Sequence, residues 1–208
     1  MAFGMKRGHS TTQSDVVKAY IQSDLNTLVP TYVELPWELT PEHLRHLHRP
    51  CTRLWKSLYG HPESGGHWAH RFADVISTLG GVESKIFPSI FILPKWGLLV
   101  TLFVDDMLVS GPQENHVKFW KELGKHLKFE EPQPVNRVLG RNHIIRGDVV
   151  EFEMDDFTQE CCNRYLEITG EKGFKKAPTP CLEEFTLPID DYDTQGALQH
   201  CAAKLLTG

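Results

Sequence analysis

Three Asp-Asp pairs stand in this sequence, at 105–106, 155–156 and 190–191, and their surroundings give each a different chemistry. Asp155-Asp156 falls where a helix is expected to start, a place the helix dipole favours for carboxylates. Asp190-Asp191 lies in an acidic stretch that needs only water around it. Asp105-Asp106 separates two apolar runs, Leu98-Leu99-Val100-Thr101-Leu102-Phe103-Val104 and Met107-Leu108-Val109. Adjacent carboxylates between strands that seek burial repel each other and lose hydration, which is costly unless a cation compensates. A divalent metal is one compensator, and a solvent-exposed hairpin turn, where Asp is common, is the alternative. Asp15 heads the run Val16-Val17-Lys18-Ala19-Tyr20 at the end of an apolar-compatible strand. It adds a carboxylate of the kind that two-metal phosphoryl-transfer sites draw from separate strands.

Carboxylates so placed need a sheet to hold them. Residues 89–93 and 98–104 read as strands around the turn Pro94-Lys95-Trp96-Gly97, and 107–110 as the next, giving consecutive antiparallel strands. Upstream, 15–25 reads as a strand end running into a short helical turn, and Pro30, Pro36, Pro41 and Pro50 punctuate an irregular connection. Between 65 and 80, Trp68, Phe72, Val75, Ile76 and Leu79 recur at helical spacing, and Gly80-Gly81 gives the stop. A second helix is expected from Pro112, with Val117, Trp120, Leu123 and Leu127 as its buried stripe. A second hairpin turns at Arg146-Gly147-Asp148, a tripeptide read as a turn and not as an adhesion motif, with Val150, Phe152 and Met154 alternating against Val149, Glu151 and Glu153. Asp155 is placed to cap a last helix whose inner face is Phe157, Cys161 and Tyr165.

With 208 residues the chain has room for one domain and an appendage, enough to bury about 70% of its unfolded surface. Its 40% hydrophobic and 24% charged residues exclude the disordered and collagen-like classes. No apolar run approaches the roughly 20 residues of a membrane span, so no membrane partner is expected, and the N-terminus holds no signal-peptide core. The five cysteines, at 51, 161, 162, 181 and 201, form no C-x-x-C pair, which points to reduced thiols in an intracellular protein, cytoplasmic or nuclear. His43, His46 and His48 lack a second ligand pair at zinc-site spacing, so no structural zinc is expected.

The net charge of −5 is uneven: residues 148–193 carry −9 and the remainder +4. His43, His46, His48, His61, His67 and His70 lie close in sequence to Arg45, Arg49, Arg53, Lys56 and Arg71. That stretch suits either a phosphate-facing surface or an ordinary solvated one.

The blocks DVVKAYIQSDL (15–25), YVELP (32–36), KSLYG (56–60) with Trp68 eight residues beyond Gly60, FVDDMLVSG (103–111), VLG (138–140) and APTP (177–180) resemble the reverse transcriptase domain of copia-type LTR retrotransposons. The blocks match in order and approximate spacing from Gln13 to about Cys181. The resemblance implies an α+β right-hand polymerase palm, with an antiparallel sheet, flanking helices, partial fingers and a short thumb-like C-terminal part. It implies a Pol polyprotein segment performing RNA-directed DNA polymerisation, with two Mg2+ ions as cofactors. Its partners would be an RNA or DNA template with primer, and deoxynucleoside triphosphates. Asp15, Asp105 and Asp106 would be catalytic and, with the backbone carbonyl of Val16, would hold the metals. Tyr20 would pack under the nucleotide sugar and exclude a 2′ hydroxyl, and Glu63 would lie at the incoming nucleotide.

Three positions depart from the family pattern. Glu63 stands where Gln is usual, Ser64-Gly65 replaces Ala-Pro and is expected to loosen that loop, and Phe103 replaces a tyrosine. The family also has fingers strands before the first aspartate block and an RNase H domain after APTP, neither of which is expected in this chain. The expected organisation is an N-terminal remnant at 1–12, the palm with partial fingers at 13–154, a helix and connection at 155–182 and an acidic tail at 183–208. The rival reading is a catalytically silent retroelement remnant that at most binds nucleic acid or a partner; a metal-dependent phosphohydrolase on the same carboxylates is the third.

Overall fold

The structure, a computed structural model, describes residues 1–147 and 149–174. Asp148, the APTP block, Cys181, Cys201 and the expected acidic tail lie outside the described residues. In chain order the elements are β1 (His9–Asp15), β2 (Tyr32–Glu34), β3 (Cys51–Arg53), α1 (Ser64–Thr78), β4 (Val82–Glu83), β5 (Ile90–Leu93), β6 (Leu98–Phe103), β7 (Asp106–Pro112), α2 (Gln113–Leu123), β8 (Gln133–Pro134), β9 (Arg137–Val138), β10 (Arg141–Arg146), β11 (Val149–Glu153) and α3 (Asp155–Thr169). Short 3-10 turns at Ala2–Met5, Ala19–Gln22, Trp37–Leu39 and Glu42–Leu44 fill the connections, the second being the helical turn expected after Asp15.

Six strands form one sheet in the order β4-β5-β6-β7-β1-β8, while β2 and β3 pair separately and the remaining three run β11-β10-β9. The β5–β6–β7 meander arises from alternation. Phe91, Val100 and Val109 lie in one cross-strand row, with Leu93 opposite Leu98 and Leu102 opposite Met107, and all of these are buried. Trp68, Phe72, Val75 and Ile76 of α1 and Phe119, Trp120 and Leu123 of α2 join them in one core. Each helix is therefore held to the sheet by its apolar stripe more than by its own propensity.

β1 occupies an interior place in the sheet with almost no apolar residue. Its seven positions, His-Ser-Thr-Thr-Gln-Ser-Asp, pair with Asp106–Pro112 along their whole length. The polar side chains are satisfied in place: Thr11 Oγ1 meets Ser110 Oγ at 2.9 Å, and Trp120 Nε1 donates to Thr12 Oγ1 at 3.0 Å. Gln13 Nε2 donates to the Arg137 carbonyl, and Ser14 Oγ donates to the Glu130 carbonyl at 2.7 Å. A strand so built is stable inside a sheet because every buried hydroxyl and amide has a partner.

Two expectations for the helices need correction. Val117 is 77% exposed, and the inward stripe of α2 is instead His116, Phe119, Trp120 and Leu123, continued by Leu127. The reason is geometric: α2 begins right after β7, and that start turns the larger Phe119 ring onto the core, where it packs at 6.1 Å from Trp96. At the last helix Met154 takes the cap position, and Asp155 and Asp156 form the first turn without a side-chain cap, interacting with the helix through its dipole. Phe157, Cys161 and Tyr165 are half-buried, as the face expected of them, and Gly170, at φ +70°, ends the helix.

The described chain packs as two units. One comprises 1–139 with 143–151 and contains the six-stranded sheet with α1 and α2; the other comprises 140–142 with 152–174 and contains α3.

The end of α1 is set by sterics. Gly80 adopts φ +82°, and a Cβ at Gly81 would collide with Ile76 Cγ2 and lie 3.0 Å from the Ile76 carbonyl oxygen and 3.1 Å from Leu93 Cγ. Gly81→Ala is accordingly expected to cost about 1–3 kcal/mol by overpacking, read as a lower midpoint in thermal unfolding. An unchanged midpoint would mean that the helix end yields freely.

Candidate active site at the aspartate hairpin

Asp15 is the last residue of β1 and Asp106 the first of β7, and the two are direct cross-strand partners. Directly opposed residues share a face with Cβ atoms about 5 Å apart. Since Met107 points into the core, Asp106 points to the other face. There it stands over a hollow of about 320 Å³ lined chiefly by apolar side chains, including Phe87, Ile90, Leu108 and Val138.

This position explains the electrostatics. The Asp106 carboxyl is pushed up to about 6, first by burial, then by the charges of Asp15 and Asp105 and by a hydrogen bond shared with Asp15. A carboxyl raised by neighbouring carboxylates marks a site short of positive charge.

Asp105 is exposed and occupies the turn between β6 and β7. The turn is held from two sides. The Val16 amide donates to the Asp105 carbonyl at 2.8 Å, and the indole Nε1 of Trp68 in α1 donates to the Val104 carbonyl at 2.6 Å. Val104 itself sits at φ +56°, a left-handed conformation that is strained for a β-branched residue. Val16 is buried just beyond β1, where it bridges to Phe129, so the residue expected to offer its carbonyl is fixed beside the turn.

Tyr20 lies in the 3-10 turn after Val16 and stacks on Tyr59 with ring centroids 4.5 Å apart. Tyr59 was not singled out from the sequence. Burial first and the charge of Asp105 second push its phenol above the usual range, opposed by hydrogen bonds to the backbone of Tyr20 and Ala19. Tyr59 thus stacks on Tyr20 and lies within electrostatic reach of Asp105. Tyr20, Gly65, Trp68, Phe103 and Val104 line a hollow of about 310 Å³ next to the turn.

Glu63 stands at the N-cap of α1 with its side chain 61% exposed. Its carboxylate lies 3.6 Å from His67 Nε2, and its amide donates to His61 Nδ1 at 3.2 Å. The loop before α1 is tied down and not loosened as expected. Fully buried Ser64 donates through Oγ to the Leu58 carbonyl at 2.7 Å and accepts from the Leu58 amide at 3.0 Å. A small hydroxyl residue thus fastens the KSLYG block to the helix start.

Much of the basic stretch is engaged locally. Arg49 grips Glu34 through Nε and Nη2, Lys56 pairs with Asp24 at 2.6 Å, and Arg45 and Arg53 lie over the rings of Trp37 and Trp55. These pairings favour the reading of an ordinary solvated surface over a free phosphate-binding one.

A family model described as reverse transcriptase (RNA-dependent DNA polymerase) matches residues 1–180. The chain belongs to the reverse transcriptase family. No curated protein matches it significantly. The mixed α/β architecture of the described residues, with antiparallel sheets and three α-helices, is consistent with a reverse transcriptase domain. No helix among the described residues is long and apolar enough to cross a membrane.

Reverse transcriptases generally depend on divalent metal and bind a nucleic-acid template and deoxynucleotides. In this reverse transcriptase domain the donors suit a hard divalent cation: carboxylate oxygens, two of them directly opposed and electrostatically frustrated. Among the described residues no group of three or more His, Cys, Asp or Glu takes up a metal-holding arrangement. The aspartates therefore form an opposed pair with Asp105 at its edge, not a closed cage. Such an open pair fits Mg2+, which keeps several waters and is commonly bound by one or two carboxylates plus substrate phosphates.

Proposed function

We propose that this reverse transcriptase domain is a copia-type polymerase palm, part of a Pol polyprotein, that performs magnesium-dependent templated nucleotidyl transfer to a primer annealed on RNA or DNA. The observation that carries this reading is the cross-strand opposition of Asp15 and Asp106 beside a strained turn bearing Asp105, in a chain of this family. Asp15, Asp105 and Asp106 would hold two Mg2+ ions, aided by the Val16 carbonyl. Bound there, Mg2+ would acidify the primer 3′ hydroxyl and neutralise the charge developing on the departing pyrophosphate.

The protein's own groups do the positioning. Tyr20, backed by the Tyr59 ring, would set the floor for the sugar and reject a 2′ hydroxyl. Asp106 would give up its proton as the cation arrives, since an adjacent positive charge lowers a carboxyl pKa. The test is extension of a radiolabelled primer on a homopolymer template by the purified chain with deoxynucleotides, in Mg2+ and in chelator. Mg2+-dependent extension supports the reading. Extension that survives chelation overturns it, as does failure of Mn2+ to bind at any site sensitive to Asp106.

Glu63 would sit near the triphosphate as a repulsive charge, with His67 Nε2 3.6 Å from its carboxylate. Repulsion of about 1 kcal/mol across the solvated cleft corresponds to roughly fivefold in affinity. Glu63→Gln is expected to lower the nucleotide KM by about that factor at low salt, and by less as ionic strength rises. A KM unchanged across a salt series would place Glu63 away from the nucleotide.

A further inference from the structure

The sequence blocks include Trp68 without assigning it work, and its side chain does more than fill the core. It is 2% exposed, and its single polar atom donates to the Val104 carbonyl at 2.6 Å. That carbonyl belongs to the left-handed residue of the turn, one position before Asp105. Together with the bond from the Val16 amide to the Asp105 carbonyl, consecutive carbonyls of the turn are fixed by different elements, α1 on one side and the chain leaving β1 on the other. A β-branched residue at φ +56° persists only where its surroundings over-determine it, and the indole supplies that constraint.

We propose that Trp68 is a positioning residue: its indole N–H locks the Val104 carbonyl and so fixes the turn that presents Asp105 and Asp106 opposite Asp15. This rests on the carboxylates being the metal site. Because α1 also carries Glu63 at its N-cap and Gly65 beside Tyr20, the same bond links the hollow next to the turn with the carboxylates across it. Without the bond Val104 would be free to relax toward ordinary β geometry, tilting Asp105 and Asp106 out of register with Asp15.

The decisive comparison is between Trp68→Phe and replacement of Trp68 by benzothienylalanine, which keeps the bicyclic shape and substitutes sulfur for N–H. Two readouts are taken on each full chain. The first needs no metal: amide hydrogen exchange at Val16, whose acceptor is the Asp105 carbonyl, with buried β6 amides as the internal reference. The second is Mn2+ affinity by electron paramagnetic resonance. Loss of one hydrogen bond to a strained turn is worth roughly tenfold, so both variants should speed Val16 exchange by about that factor and weaken Mn2+ binding several-fold, with β6 amides unchanged in the benzothienyl protein.

Val16 exchange unchanged in the benzothienyl variant overturns the lock. Faster exchange with unchanged Mn2+ affinity overturns its role in presenting the carboxylates. If the unsubstituted chain itself binds no Mn2+, the polymerase reading fails, and the lock on the turn is then judged by exchange alone.

Discussion

Asp106→Asn should reduce primer extension by roughly a thousandfold and, at pH 7 without divalent ions, leave the fold more stable than before. The first effect follows because metal-held charge contributes several kcal/mol to phosphoryl transfer, and Asn offers a neutral oxygen in place of a carboxylate. The second follows from proton linkage. Burial, reinforced by Asp15 and Asp105, raises the Asp106 carboxyl from 3.8 to about 6 in the folded chain. Between those values the folded chain holds a proton that the unfolded chain has released, so stability falls as pH rises through that window and stays lower above it. A rise of that size corresponds to about 3 kcal/mol, but the solvent that still reaches this half-buried side chain reduces the effect to about 1 kcal/mol. The Asn variant and the parent should therefore melt together near pH 4 and diverge by pH 7, with Mg2+ restoring the parent. A melting difference constant from pH 4 to 7 would show that Asp106 titrates like an ordinary surface carboxylate.

Phe72→Ala carries the largest expected loss of stability. Its ring is fully buried, 5.8 Å from Trp68 and 5.4 Å from Phe91, and so joins α1 to the sheet. Truncation leaves a cavity among side chains that cannot close on it, a cost of about 3–5 kcal/mol against a total of about 5–15 for a domain. Urea unfolding should show the midpoint falling with little change in slope. A loss below about 1 kcal/mol would mean that α1 can sink into the gap, and its Trp68 with it. Phe72→Leu should retain most of the stability, because it keeps most of the packing.

What the sequence made legible was the part held by apolar periodicity. Trp68, Phe72, Val75 and Ile76 specify α1, and the runs around Pro94–Gly97 specify the meander, because burial is periodic there and nothing competes with it. The turn at Asp105 was legible for the same reason, as a break in an apolar run. Of β1 only its end at Asp15 was read, and as an apolar-compatible strand: the strand itself is hydroxyls and amides with no alternation to read, and its interior place depends on partners about 100 residues away, such as Ser110 for Thr11 and His116 for Thr12. The resemblance implied that Asp15, Asp105 and Asp106 share one site, but the direct cross-strand opposition of Asp15 to Asp106 was hidden, since spacing along the chain says nothing about strand register. The stripe of α2 was misread because Val117 and Phe119 are both apolar and the phase of a short helix is set by where it leaves β7. Tyr59 and the indole of Trp68 act through single hydrogen bonds and ring contacts, which leave no pattern in sequence at all.

Polar β1 also bears on how this chain is made. Made about 100 residues before their partner, residues 9–15 must wait for 106–112 before they find the neighbour they pair with along their whole length. At about 5–20 residues per second, that is on the order of 5–20 seconds with an unpaired strand on the nascent chain. A Val- and Ile-rich strand held open so long would recruit other chains, as six-residue apolar β segments do. The run His-Ser-Thr-Thr-Gln-Ser-Asp is content in water and sticky only to its own slot, where Ser110, His116, Trp120 and the Glu130 carbonyl complete its hydrogen bonds. Delayed closure of the sheet is thereby kept from becoming a route to aggregation.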